Sequence, residues 1–374
     1  MTARIARIET FVVPVPFAHT FVIGSGAVGG SGAAGTGDVV FVKITGDDGT
    51  AGWGEQRALP SWSYETAETI SAVINSELAP LLIGADPFAI EAFHRAADRA
   101  LSPSVSNGFP FARAAVDLAL HDLAGRLAGI SVHDLLGGKV HDEIPLCSAI
   151  GVDTPEVMAE RARGSADYHA YKIKIRGDIA ADVAAVEAVA EVAQGKPLWL
   201  DANQSYRPSA LHQLVRRLRD VPALHCVEQP VPSTDWAGMI RTRELIDLPV
   251  AIDEGSFTAA DLARSAVLGA ADLVVIKLCK AGGLRQALRT AAVARAHGLE
   301  ILSSGLTDTG VGFAAALHLF AQLDLALPAE LNGPELLVDL YVDGLKIDDA
   351  VATVPDGPGL GVEVDEERIR GTAR

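Results

Sequence analysis

Two kinds of hydrophobic pattern divide the chain. Up to about residue 60, apolar and polar residues alternate in short stretches, as at 5–13 and 39–44, and Gly46-Asp47-Asp48-Gly49 supplies a turn. Alternation with a period of two predicts half-buried strands. Between these stretches, 24–37 is rich in glycine and poor in apolar residues, the texture of a loop or lid. Spacings of three and four then predict helices over 65–82, 91–101 and 112–128, and Gly137-Gly138 closes the region. Strands feeding a group of helices suggest an α+β domain at 1–130.

From residue 144 the pattern changes. Apolar runs at 144–148, 170–175, 198–203, 224–228, 250–253, 273–277, 300–304 and 328–331 alternate with amphipathic stretches, and their starts lie 23 to 28 residues apart. Eight strand-plus-helix units of near-constant length predict parallel strands joined by crossover helices, closed as a (β/α)8 barrel over 131–338. An open doubly wound sheet is the alternative, but no Gly-x-Gly-x-x-Gly follows the first strand. Alternation returns at 345–347 and 360–364, so 339–374 is expected to pack back on the first domain. The fold class is α/β: a modified TIM barrel with an N-terminal α+β capping domain and a C-terminal return.

Composition narrows the function classes. A chain of 374 residues that is 49% hydrophobic and 21% charged is not disordered. Its net charge of −17, without a long basic run, argues against nucleic acid or an anionic membrane as partner. No apolar run is long enough to span a bilayer and the N-terminus carries no targeting pattern. Three scattered cysteines, Cys147, Cys226 and Cys279, suit a reducing cytoplasm. Cys279 has no histidine partner in view and reads as a small buried hydrophobe. Gly282-Gly283 opens a helix and could cradle a phosphate, on a weak signal.

The chemistry sits where the predicted strands end. A buried parallel strand is apolar along its body, so polar residues mark the exits at the C-terminal rim, where barrel enzymes react. The second run ends Tyr171-Lys172-Ile173-Lys174, with two ammonium groups on one face. The third ends Leu200-Asp201-Ala202-Asn203, the fourth Val227-Glu228-Gln229, the fifth Ile252-Asp253-Glu254 and the sixth Ile276-Lys277. Taken singly, each acid reads equally as a helix cap or solvated loop residue, and paired lysines as a solvated strand face. Together, three carboxylates on three consecutive strands repel unless a cation joins them. Oxygen ligands without a Cys/His cluster suit Mg²⁺, with Mn²⁺ as a substitute, rather than zinc. A cation flanked by lysines suits removal of a proton α to a carboxylate, whose enolate needs positive charge. A lysine base needs a lowered pKa, which Lys172 beside Lys174 would help provide.

The Lys172-x-Lys174 pair, the Asp201…Glu228…Asp253 triplet and Lys277 followed by Gly282-Gly283 resemble the enolase superfamily, in particular its muconate-lactonizing-enzyme subgroup. The resemblance spans nearly the whole chain. It implies Asp201, Glu228 and Asp253 as Mg²⁺ ligands, Lys174 and Lys277 as the acid/base pair, and Lys172 as support for Lys174. Asn203 and Glu254 would lie near the metal, and Glu330, in Glu330-Leu331-Asn332-Gly333-Pro334, would point into the site. The mandelate-racemase-like subgroup places a histidine at the seventh strand end, where this chain has Ser303-Ser304-Gly305-Leu306; His297 and His318 fall elsewhere. The two loops of the capping domain, 24–37 and 56–64, would cover a small carboxylate substrate. They differ in length from those of the muconate enzymes, which puts muconate itself in question. Arg57 and His19 are candidates for a substrate carboxylate, and Trp62 or Phe21 for an apolar portion. The leading reaction is cycloisomerisation, with racemisation or epimerisation of an amino-acid derivative and syn-dehydration as alternatives. A Schiff-base aldolase and a non-catalytic binding scaffold are the readings from other classes. By the same resemblance a homo-oligomer is expected.

Overall fold

The computed structural model describes residues 3–23, 26–28, 35–102 and 106–374. It opens with β1 (Ile5–Pro16), the short β2 (Phe21–Ile23) and β3 (Gly26–Val28), β4 (Thr36–Gly46) and β5 (Ala51–Arg57). β1, β4 and β5 form one antiparallel sheet, and β2 with β3 a separate hairpin. The rest of the 24–37 loop, at 24–25 and 29–34, lies outside the described residues.

The buried helix Pro110–Ala128 lies directly on β5. Its approach depends on Gly54, where a Cβ would come within 2.0 Å of the Ala115 carbonyl oxygen. The helix begins with proline at its first position, and the Glu65 carboxylate accepts from the free N–H groups of Phe111 and Ala112 at 2.9 and 3.0 Å.

The barrel follows. β6 (Glu143–Pro145) precedes β7 (Cys147–Ile150), β8 (Ala170–Lys174), β9 (Leu198–Asp201), β10 (Leu224–Glu228), β11 (Val250–Ile252), β12 (Leu273–Ile276) and β13 (Glu300–Ser303). Strands β7 to β13 form one parallel sheet in chain order, as the repeat predicts. Two of the eight predicted runs differ. The first, 144–148, is split at Leu146: β6 turns outward and pairs antiparallel with Val351–Thr353, and only β7 enters the barrel. The last, 328–331, is too short for a ladder. It closes the barrel through two parallel bridges, Leu146 with Ala329 and Ser304 with Glu330.

Inside the barrel, Cys147, Ala170, Cys226 and Ala251 are small, which leaves room for Trp199. All three cysteines are buried and free, and burial pushes each thiol well up, so none is poised as a nucleophile. The C-terminal segment reaches two places rather than the one expected. Its strand Val351–Thr353 joins β6 at the barrel, while the helix Glu366–Thr372 lies on β1, with Glu366 2.6 Å from Lys43 and Arg370 3.1 Å from Glu9. No helix among the described residues is long and apolar enough to cross a membrane.

His318, in the helix Gly310–Phe320, is fully buried. Its Nδ1 accepts from the His133 N–H at 3.2 Å and its Nε2 donates to the Leu360 carbonyl at 3.0 Å, which fixes the neutral tautomer. Burial pushes its pKa down to about 4. The unfolded chain then binds the proton more readily, so stability is complete above the ordinary histidine value of 6.5 and falls as pH drops towards 4. We expect urea titrations to show a loss of about 3 kcal/mol over that interval, and much less in His318→Asn.

Candidate active site

Strand register builds the site. Lys174 pairs across β8 and β9 with Asp201, and Asp201 across β9 and β10 with Glu228, so one row of the sheet carries an ammonium and two carboxylates. Asp253 follows β11 directly and Lys277 follows β12. The chain leaves β10 sharply at Gln229, which has a φ of 34°. The side-chain oxygen of Gln229 accepts from the N–H groups of Asp253 and Gly255 at 3.0 Å each, tying the exit of β10 to that of β11.

All the strand-end residues singled out in the sequence come together. Asp201, Glu228 and Asp253 have no solvent exposure, and Lys172, Lys174 and Lys277 are buried with them. Lys172 Nζ lies 3.1 Å from Asp201, 2.9 Å from Glu228 and 3.3 Å from Glu330, with the Trp199 ring 4.3 Å away beneath it. Lys174 Nζ donates to Asp201 at 2.5 Å and to Asn203 Oδ1 at 3.2 Å. Lys277 Nζ donates to Asp253 Oδ2 at 2.7 Å and lies 4.6 Å from the centre of the Trp62 ring. Glu254 Oε1 accepts from Asn203 Nδ2 and Trp62 Nε1, both at 3.2 Å. Glu330 accepts from Ser304 Oγ and, at 2.8 Å, from Asn332 Nδ2.

Electrostatics show which group is least at ease. Burial raises the pKa of Asp201, but Lys172 and Lys174 outweigh it and hold that carboxyl well below its usual range. Asp253 is likewise held low by Lys277 and Lys280 against burial. Glu228 is pushed well up, by burial first and then by Asp201, with Lys172 too little to offset them. Glu254 rises to about 7 through burial and the neighbouring Asp253 and Asp201. Lys277 is pushed well up: burial acts downward, but the adjacent Asp253 more than reverses it.

The donor set is chemically suited to a hard divalent cation: three dry carboxylates, one of which, Glu228, holds its proton until a further positive charge joins the cluster. Those oxygens are turned onto ammonium groups, and among the described residues no three acid, His or Cys side chains already converge as a cage.

A small cavity, of about 30 Å³, lies over the lysines. Lys172, Lys174, Lys277, Asn203 and Glu330 line one side; Phe21, Ile23, Val28, Leu59, Trp62 and Leu306 line the other. Phe21 and Trp62, which the sequence offers for an apolar portion of a substrate, are both among the lining residues. Arg57 and His19 do not line it. Arg57 is buried behind the wall, donating from Nε to the Thr307 carbonyl at 2.7 Å, and His19 is exposed. Nor is Gly282-Gly283 open to a phosphate. Asp117 fills that turn, accepting from Leu284 N at 2.6 Å, and its Oδ1 stands 2.2 Å from where a Cβ on Gly283 would lie.

Sequence reasoning missed Lys280. It donates to Asp253 Oδ1 at 2.7 Å and to the Asp253 carbonyl at 2.8 Å. The available signal was its place three residues after Lys277 on a helical turn, which puts both on one side. Replacing Trp62 by leucine should lower turnover about tenfold by removing the ring beside Lys277, with phenylalanine recovering most of it; steady-state kinetics on the two variants would check this.

Residues 7–137 match the family model of the mandelate racemase/muconate lactonizing enzyme N-terminal domain, and residues 156–368 the enolase C-terminal domain-like model. The chain belongs to the mandelate racemase/muconate lactonizing enzyme family. It is an enolase-superfamily enzyme of the isomerase class. This family member is 30% identical to an N-succinyl-L-Arg/Lys racemase of Bacillus cereus, over 98% of this chain and 97% of that one. It is 32% identical to a chloromuconate cycloisomerase of Cupriavidus necator, over 90% and 91%. Its fold superposes on a muconate lactonizing enzyme of Pseudomonas fluorescens, complexed with muconolactone, with a TM-score of 0.93, 28% identity and full coverage of both chains.

Proposed function

We propose that this enzyme moves a proton at the carbon α to the carboxylate of a small substrate, with Lys174 and Lys277 as the proton carriers. The observation behind this reading is that two buried lysines, each hydrogen-bonded to a different strand-end acid, line the same cavity. Asp201, Glu228 and Asp253 would hold a Mg²⁺, which supplies the positive charge that lets the substrate carboxylate accept a second negative charge as an enolate. The chain's own groups do the rest. Lys174 takes or returns the proton on one side and Lys277 on the other. Lys172 keeps a fixed positive charge between Asp201, Glu228 and Glu330. The apolar hairpin β2–β3 and Trp62 keep water from the carbanionic carbon.

Two opposed carriers favour 1,1-proton transfer, that is racemisation or epimerisation, over the cycloisomerisation that the sequence placed first. Cycloisomerisation stays as the second reading because both a chloromuconate cycloisomerase and a muconate lactonizing enzyme are among the similar proteins. The test is incubation with Mg²⁺ and a panel of small carboxylates in D₂O, followed by NMR. Deuterium at the α carbon, lost on chelation, is the expected result; exchange that persists in chelator removes the metal from the scheme. A homo-oligomer, proposed on the family resemblance, would be checked by light scattering.

A further inference from the structure

The cavity has a charged floor and a neutral roof. Lys172, Lys174, Lys277 and Glu330 belong to the floor, and each lysine there is already paired with at least one carboxylate. The roof comes from β2–β3, Leu59, Trp62 and Leu306, and among the described residues it contains no ionisable side chain. The hairpin is fixed to the barrel mouth, since Val152 N donates to the Val22 carbonyl at 2.8 Å. Residues 24–25 and 29–34 read Gly-Ser and Gly-Gly-Ser-Gly-Ala-Ala, so they bring no charge whatever their position. Neither of the two cations that the sequence offers for a substrate carboxylate lines the cavity. The Arg57 guanidinium is buried behind Thr307, and His19 is on the exposed side.

Resting on the function proposed above, we infer that the substrate carries a single charged group, the reacting carboxylate, and a neutral, apolar remainder that lies under the roof. A second carboxylate or a free ammonium at the far end would lose its water there and find no partner of opposite charge. The selection is one of charge as much as of shape: the roof rejects by leaving an ion unpaired.

Three probes separate the possibilities in the full-length protein with Mg²⁺. N-acetyl-L-phenylalanine has one carboxylate and an apolar remainder. N-succinyl-L-phenylalanine adds a carboxylate on the acyl arm, and Nα-acetyl-L-lysine adds an ammonium on the side chain. Calorimetry reads binding, and deuterium at the α carbon in D₂O reads turnover. The first probe should bind and exchange at least about tenfold better than either of the others. Val28→Lys, which puts a cation in the roof, should shift the preference towards the N-succinyl compound by a similar factor. The comparison of probes in the unaltered protein needs no variant to fold. Equal or better handling of either doubly charged probe overturns the inference and leaves the proposed function standing. Failure of N-acetyl-L-phenylalanine to bind also overturns it. Should Lys174→Ala leave the exchange of every carboxylate unchanged, the proposed function falls as well.

Discussion

Alanine at position 174 is expected to abolish α-proton exchange from one enantiomer of the substrate and spare the other, and alanine at position 277 to do the reverse. Each lysine lines the cavity and donates to its own acid, Lys174 to Asp201 and Lys277 to Asp253, so each is held by a different strand end. General acid–base groups of this kind contribute about 10²–10⁴-fold, and the affected direction should fall by that factor. Net racemisation stops in both variants, because it needs both hands, while one-sided exchange continues in each. Following the loss of the α-proton signal of each pure enantiomer in D₂O distinguishes the outcomes. Loss of exchange in Lys174→Ala alone would instead support the cycloisomerase reading, in which one lysine handles the proton.

Replacing Glu228 by glutamine should separate stability from activity in opposite directions. A carboxyl whose pKa is raised on folding holds its proton more tightly in the folded chain, so without a cation it costs stability as pH climbs above the unfolded value of 4.5. The amide is nearly the same shape and removes that cost. The metal-free variant is therefore expected to melt at or above the temperature of the metal-free parent at pH 7. Addition of Mg²⁺ at a hundred times its dissociation constant should stabilise the parent by about 2.7 kcal/mol and the variant hardly at all. Turnover should drop by at least roughly a hundredfold. Calorimetric scans with and without Mg²⁺ would check this. A variant that keeps its full metal-dependent rise in melting temperature would remove Glu228 from the ligand set.

The parts of this molecule that were legible in the sequence are those governed by local alternation between apolar and polar residues. Buried parallel strands are apolar until they leave the sheet, so Asp201, Glu228, Asp253 and Lys277 stood out as the places where an apolar run breaks. What was not legible depends on contacts between distant segments. Nothing local in 144–148 says that Leu146 parts an outer strand from a barrel strand, because the partner of the outer one is Val351–Thr353, some two hundred residues on. Lys280 looks like an ordinary lysine on a helical turn until Asp253 is brought against it. Arg57 was a reasonable anion contact by type and position. Its actual role is set by Thr307, a residue 250 positions away that has a φ of 61° and whose carbonyl needs a donor. The glycine pair after Lys277 has the local texture of an opening for a ligand, whereas the protein fills it with its own Asp117.

The two-residue rung that shuts the barrel matters to anyone who would redesign this enzyme. Glu330 sits in that seam, bridged to Ser304, and also faces Lys172 across the interior. A library that randomises position 330 for new selectivity therefore gambles with the closure of the cylinder. The hairpin over the mouth and Leu59 contribute side chains to the cavity but none to the seam or the row of acids. Diversity introduced there should yield many folded variants with altered appetites, and far fewer casualties.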